Sequence, residues 1–171
     1  MSLHKAIIQW DGRSKDSIIE IYHRFNQGRG FTARLLKLSA DETTQTGATW
    51  LLKHHLENNP RTAVDEKIYF KLLFGVSEWE AKLHLLQCLP YFCISNTHKK
   101  PLEACLKQAI GEDNKFVRAW AFNGFNELAL AHQEYRKEVD AILVDALAQE
   151  SASVKARVKN IIKDLATLAR D

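Results

Sequence analysis

Apolar side chains return to one helical stripe about every 37 residues along this chain, and few folds can satisfy such a pattern. The stripe reads Ala81, Leu85, Cys88, Leu89, Phe92, then Val117, Ala121, Gly124, Phe125, Leu128, then Val154, Val158, Ile161, Ile162, Leu165. Each set has the spacing i, i+4, i+7, i+8, i+11, which lies along one face of an α-helix. Fourteen of the fifteen positions are apolar and the other is glycine, against 46% hydrophobic residues in the chain as a whole. A basic residue follows the start of every set, at Lys82, Arg118 and Lys155, and a fourth copy starts at Thr44 with Ala48, Leu51, Leu52 and, out of character, His55.

Helical spacing also accounts for the remaining segments once the chain is divided at its breakers. Ile18, Ile21, Tyr22 and Phe25 predict an opening helix over 14–25, ended by Asn26-Gln27-Gly28-Arg29-Gly30. A short helix over 31–38 follows, then one over 44–56 stopped by Asn58-Asn59-Pro60, since proline cannot continue a helix. Further helices are predicted over 64–74, 77–93, 100–110, 114–131, 135–149 and 152–169. Seven glycines and three prolines leave little material for hairpin turns, which disfavours an all-β fold.

Shorter and longer helices alternate across short connections at Gly75-Val76-Ser77, Gly111-Glu112-Asp113 and Glu150-Ser151. One such hairpin cannot bury both apolar faces, whereas three or four stacked hairpins share a core and need capping ends. The segments Phe116-Val117-Arg118-Ala119-Trp120-Ala121, Ser153-Val154-Lys155-Ala156-Arg157-Val158 and Glu80-Ala81-Lys82-Leu83 resemble those of HEAT-like (ARM/HEAT) helical repeats. That resemblance implies an all-α, right-handed α-α superhelix of about four helical hairpins with an N-terminal capping helix. It makes 1–171 a single domain, with 1–43 the cap and degenerate helices and 44–171 the repeats. The lysines of the last helix, Lys155, Lys159 and Lys163, suit it to be the other cap.

Net charge is +3, with 19 basic and 19 acidic side chains in residues 1–150 and the excess in the last 21 residues. This argues against a broad positive face of the kind a strongly basic nucleic-acid protein carries. No uncharged apolar stretch approaches the roughly 20 residues of a membrane span, and the first ten residues lack the core of a signal peptide. Three cysteines without a CxxC fit reduced thiols. The expectation is a cytoplasmic protein with no membrane association and no cofactor.

Catalytic patterns are missing: there is no G-x-S-x-G, P-loop or H-E-x-x-H. His84, Cys88, Cys93 and His98 give H-x3-C-x4-C-x4-H, but Cys88 belongs to the apolar stripe and the run crosses Pro90, so a zinc site is not expected. Adjacent His54 and His55 point about 100° apart on a helix, which disfavours a joint ligand role.

Acids precede the three recurrent cations, Glu78 before Lys82, Asp113 before Arg118 and Glu150 before Lys155. They are expected near helix N-termini, bonding the basic residue of their own or the next repeat, with Asp113–Arg118 the leading pair. Opposite the stripe, six positions after its start, lie Gln87, Asn123 and Asn160; nine positions after lie Pro90, Asn126 and Lys163. An amide recurring in mid-helix calls for a packing or recognition reason, because asparagine is a poor helix former.

The candidate partner-binding residues are therefore Arg118, Asn123 and Asn126, with Lys82, Gln87, Lys155, Asn160 and Lys163. The expected function is a non-catalytic scaffold whose concave groove receives a protein segment, as a monomer or weak homo-oligomer. The alternative is nucleic-acid binding, or an alkylpurine DNA glycosylase activity on a HEAT-like fold. The glycosylases of that architecture hold a cationic base against aromatic faces beside a carboxylate, and Trp79, Asp113, Arg118 and Trp120 supply those residue types. Packing in the core or between repeats is the expected role of Trp10, Trp50, Trp79 and Trp120.

Overall fold

A computed structural model describes residues 1–168, with side chains through Leu165. Among them are ten α-helices and no strand: α1 Leu3–Ile8, α2 Lys15–Phe25, α3 Phe31–Leu38, α4 Gln45–Asn58, α5 Glu66–Gly75, α6 Trp79–Cys88, α7 Lys99–Ala109, α8 Lys115–Ala131, α9 Arg136–Gln149 and α10 Ala152–Leu168. Single 3-10 turns at Leu89–Tyr91 and Gln133–Tyr135 extend α6 and lead into α9. The predicted end of the last helix at 169 lies outside the described residues.

Local chemistry sets the helix starts. Ser14, Asp65 and Asn114 stand in extended geometry before α2, α5 and α8 and accept backbone N–H bonds from Ser17, Ile68, and Phe116 with Val117. Such side chains satisfy donors that the first helical turn leaves without partners. Glu78 does the same for Glu80 and Ala81 at α6. Sequence reading takes the helix over 14–25 as the first, and the structure corrects this with α1. Only six residues long, α1 is too short to display a period, but Ser2 caps it and it buries Leu3, Ala6 and Ile7.

The chain divides into two compact units, Met1–Tyr91 and the part from Phe92 onward. In the first, α3 packs on α4, α5 on α6, and α4 on α6, with α1 against α2 and α2 against α4. In the second, α7 packs on α8, α9 on α10, α8 on α10, and α8 on α9. The second unit is two helix pairs joined through α8 and α10; the first has the α3–α4 and α5–α6 pairs joined through α4 and α6, with α1 and α2 added, and the recurrent stripe lies largely on these joining helices. Ala81, Leu85, Cys88 and Leu89 are buried in the first unit; Val117, Ala121, Phe125, Leu128, Val154, Val158 and Ile161 in the second. Four positions depart from the pattern, among them Phe92 and Leu165, each half-buried and the first beyond the end of α6. Ile162, on α10, is 37% exposed, and His55 is half-buried while its neighbour Leu56 takes the buried place.

No helix among the described residues is long and apolar enough to cross a membrane.

Candidate functional site

Helix α8 carries three of the eight nominated residues, Arg118, Asn123 and Asn126, and it is buried on two arcs. Val117, Ala121, Gly124, Phe125 and Leu128 form the stripe; Ala119, Phe122, Asn126 and Ala129 form a second buried arc beside it. Beside the half-buried Arg118 and the exposed first residue Lys115, what is left open is one narrow face of six residues: Phe116, Trp120, Asn123, Glu127, Leu130 and, at the helix end, Ala131. Phe116 is 52% and Leu130 42% exposed, large apolar side chains at the two ends of the face. Trp120, Asn123 and Glu127 are half-buried between them.

The chemistry of this face is set by three of those groups. Arg157, from α10, lays its guanidinium over the Trp120 ring at 4.1 Å from the centroid, a cation–π contact that holds both side chains in place. Glu127 makes no hydrogen bond or ion pair among the described residues, and burial raises its carboxyl pKa above the ordinary range. Asn123 between them is likewise without a hydrogen-bond partner among the described residues, which leaves its amide donor and acceptor to be satisfied by water or an incoming group. A half-buried carboxylate without a partner is partly stripped of water, and groups perturbed in this way concentrate where a ligand completes them.

Asn126 is 8% exposed and its side-chain oxygen accepts from Arg136 at 3.3 Å, so it is a packing residue on the covered arc. Arg118 is bound on all sides. Its Nε donates to the Glu150 carboxylate at 2.9 and 3.2 Å and one terminal nitrogen at 3.0 Å, while the other terminal nitrogen donates to the carbonyls of Glu112 and Asp113 at 2.9 and 2.8 Å.

The leading pair is thereby corrected. Arg118 takes the carboxylate of the next connection, because Glu150 meets its planar fork with two oxygens, and takes only backbone from Asp113. Asp113 does lie at the N-terminal end of α8, beside its cap Asn114. Lys155 donates to the carbonyl of Ala148 at 3.1 Å, and Asn160 and Lys163 are exposed on α10. Lys82 and Gln87 are half-buried on α6, in the first unit.

The tryptophans are not core residues. None of the four is buried, and Trp79 is 41% exposed. In the first unit Trp50 stacks on His54 with ring centroids 4.9 Å apart, and Tyr22 meets His54 edge-on at 4.7 Å while its hydroxyl lies 3.2 Å from Nδ1 of His55. His84 places Nδ1 3.1 Å from the Thr49 hydroxyl, and burial drives its pKa down to about 3, so the ring is neutral. Cys88 is fully buried, and burial pushes its thiol well above the ordinary range. Among the described residues no group of three or more His, Cys, Asp or Glu side chains is placed to hold a metal ion.

Comparison with protein-family models, with curated proteins and with solved structures finds no match to this chain.

Proposed function

We propose that the chain is a non-catalytic interaction module made of HEAT-like helix pairs, and that the open face of α8 receives a segment of another protein bearing a basic side chain. The half-buried, unpartnered carboxylate of Glu127 carries this reading: a cationic side chain arriving there gains a charge-assisted hydrogen bond and relieves the group's desolvation. Trp120 with Arg157 lies seven residues away on the same helix, about 10 Å along its axis. That span matches about three residues of extended chain. The Asn123 amide between the two ends is suited to pair with the main chain of such a segment, and Phe116 and Leu130 offer apolar contact beyond it.

Selection of random peptides displayed on phage against the folded chain tests this. Enriched peptides should carry Lys or Arg flanked by apolar residues. They should bind the Glu127→Gln variant at least tenfold more weakly, with the helical circular-dichroism spectrum and melting temperature nearly unchanged. Peptides that bind that variant as tightly, or a selection that enriches none, would overturn the proposal.

A further inference from the structure

The first unit holds a second feature that the face of α8 does not use. A pocket of about 400 Å³ opens between α4, α6 and the α1–α2 connection, lined by Trp10, Arg13, Lys15, Trp50, Lys53 and Glu80 among others. Its size lies within the range of small-molecule and cofactor sites. Arg13, Lys15 and Lys53 set three cations against the single wall carboxylate of Glu80. Neither Arg13 nor Lys15 has a carboxylate within 4 Å among the described residues. The nearest acid in sequence, Asp11, is committed to its own turn, accepting from the backbone N–H groups of Arg13 and Ser14 at 2.9 and 2.8 Å. Lys53 is shared with Glu57 at 3.4 Å.

The aromatic part of the wall is fixed in position. The Trp10 indole N–H donates to the carbonyl of Ser14 at 2.8 Å, which ties the ring to the loop presenting Arg13. Gly47 of α4 lets that ring approach: a Cβ there would stand 2.8 Å from Ile7 Cγ2 and 3.3 Å from Trp10 Cε3. Trp50 is held by its stack on His54. His84, also on the wall, is neutral and adds no charge to the balance.

Cations in this excess select an anion, and two indoles select a flat ring; a ligand that offers both within this volume is a nucleotide. We propose that this pocket binds a phosphorylated nucleoside unit, with the phosphate between Arg13, Lys15 and Lys53, the base against the indole wall, and a ribose hydroxyl or exocyclic amine donating to Glu80. The unit can be a free nucleotide or one residue of a single strand, since both present the same chemistry. This inference is independent of the reading of α8.

Calorimetric titration of the full chain at low ionic strength tests it, with AMP, adenosine, inorganic phosphate and an oligo-deoxyadenylate as probes. AMP should bind at least tenfold more tightly than adenosine or phosphate alone, and more weakly as salt is added. The double variant Arg13→Ala with Lys15→Ala should lose at least tenfold, with its circular dichroism unchanged because both side chains are exposed. An oligonucleotide tighter than AMP identifies the strand as the source, and equal affinity per site identifies the free nucleotide; either supports the pocket. Failure of AMP and oligonucleotide alike to bind, or equal binding by the double variant, would overturn it.

Discussion

Replacing Arg118 by alanine is expected to destabilise the second unit by about 2–3 kcal/mol. The figure is bounded from both sides. Fully exposed ion pairs contribute roughly 0–1 kcal/mol, while breaking a buried pair by removing one partner costs about 3–5 kcal/mol. The side chains of Arg118 and Glu150 are 19% and 14% exposed, which places them nearer the buried limit. Alanine also strands more than the carboxylate. The carbonyls of Glu112 and Asp113 also lose the donor that now bonds both, the first of them in a part-buried place.

Urea denaturation followed by helical circular dichroism reads the effect as a midpoint lower by about 1 M, given a typical slope of roughly 2–3 kcal/mol per M. Arg118→Lys should recover little, because one ammonium cannot reach two carboxylate oxygens and two carbonyls together. Asp113→Asn should change stability by less than about 0.5 kcal/mol, since its carboxylate makes no bond to Arg118. A double-mutant cycle of Arg118→Ala with Glu150→Gln should return about 1–2 kcal/mol of coupling. An Arg118→Ala midpoint equal to wild type, or a cycle with no coupling, would refute the clamp and return Arg118 to the list of partner contacts.

Two further outcomes follow from local chemistry. Asn114→Ala removes the side-chain cap of α8 and should cost about 1 kcal/mol, or roughly 2–4 °C in thermal melts, while Asn114→Asp should keep the cap. His84 is held near pKa 3 in the folded chain against an unfolded value of about 6.5, so between those values the unfolded state binds more protons. Its contribution to stability is constant above about pH 6.5 and is lost as pH falls toward 3. Melts at pH 7 and pH 5, where most carboxylates stay ionised, should show a fall in wild type that His84→Gln lessens; identical falls would exclude His84 as the cause.

Helix positions were legible in the sequence because each helix carries its own period and its own punctuation. The 3.6-residue stripe located α4 to α10, although the helix predicted over 77–93 ends at Cys88, before Pro90, and Ser14, Asn58-Asn59-Pro60 and Glu150-Ser151 marked boundaries within a residue or two of those observed. Less visible was α1, whose six residues offer one turn of signal in Leu3, Ala6 and Ile7, with Ile8 apolar but exposed, and whose helicity comes from burying the first three. His55 looked like a flaw in the fourth stripe. Its ring meets Phe31 at 5.2 Å and the Tyr22 hydroxyl bonds its Nδ1, so a polar aromatic fills an apolar place by finding partners that no single-segment reading contains.

The site was less legible, for a geometric reason. Taking the direction opposite the stripe as open assumes that a helix is covered on one side only. Helix α8 packs against α7, α9 and α10, and its covered arc spans about 220° of its circumference when residues are placed at 100° intervals. The open window is therefore displaced by about 55° from the point opposite the stripe. Asn126 falls on the covered side of that displacement and Asn123 on the open side, which is why two amides three residues apart meet opposite fates. The same rotation brings in Glu127, ten positions after the stripe starts, in register with Trp120 and Asn123. Its signal was present in the sequence as a second apolar arc, Ala119, Phe122 and Ala129, beside the first. A helix apolar over two arcs confines its polar chemistry to what remains, and on α8 that remainder is a carboxylate, an amide and an indole on one line.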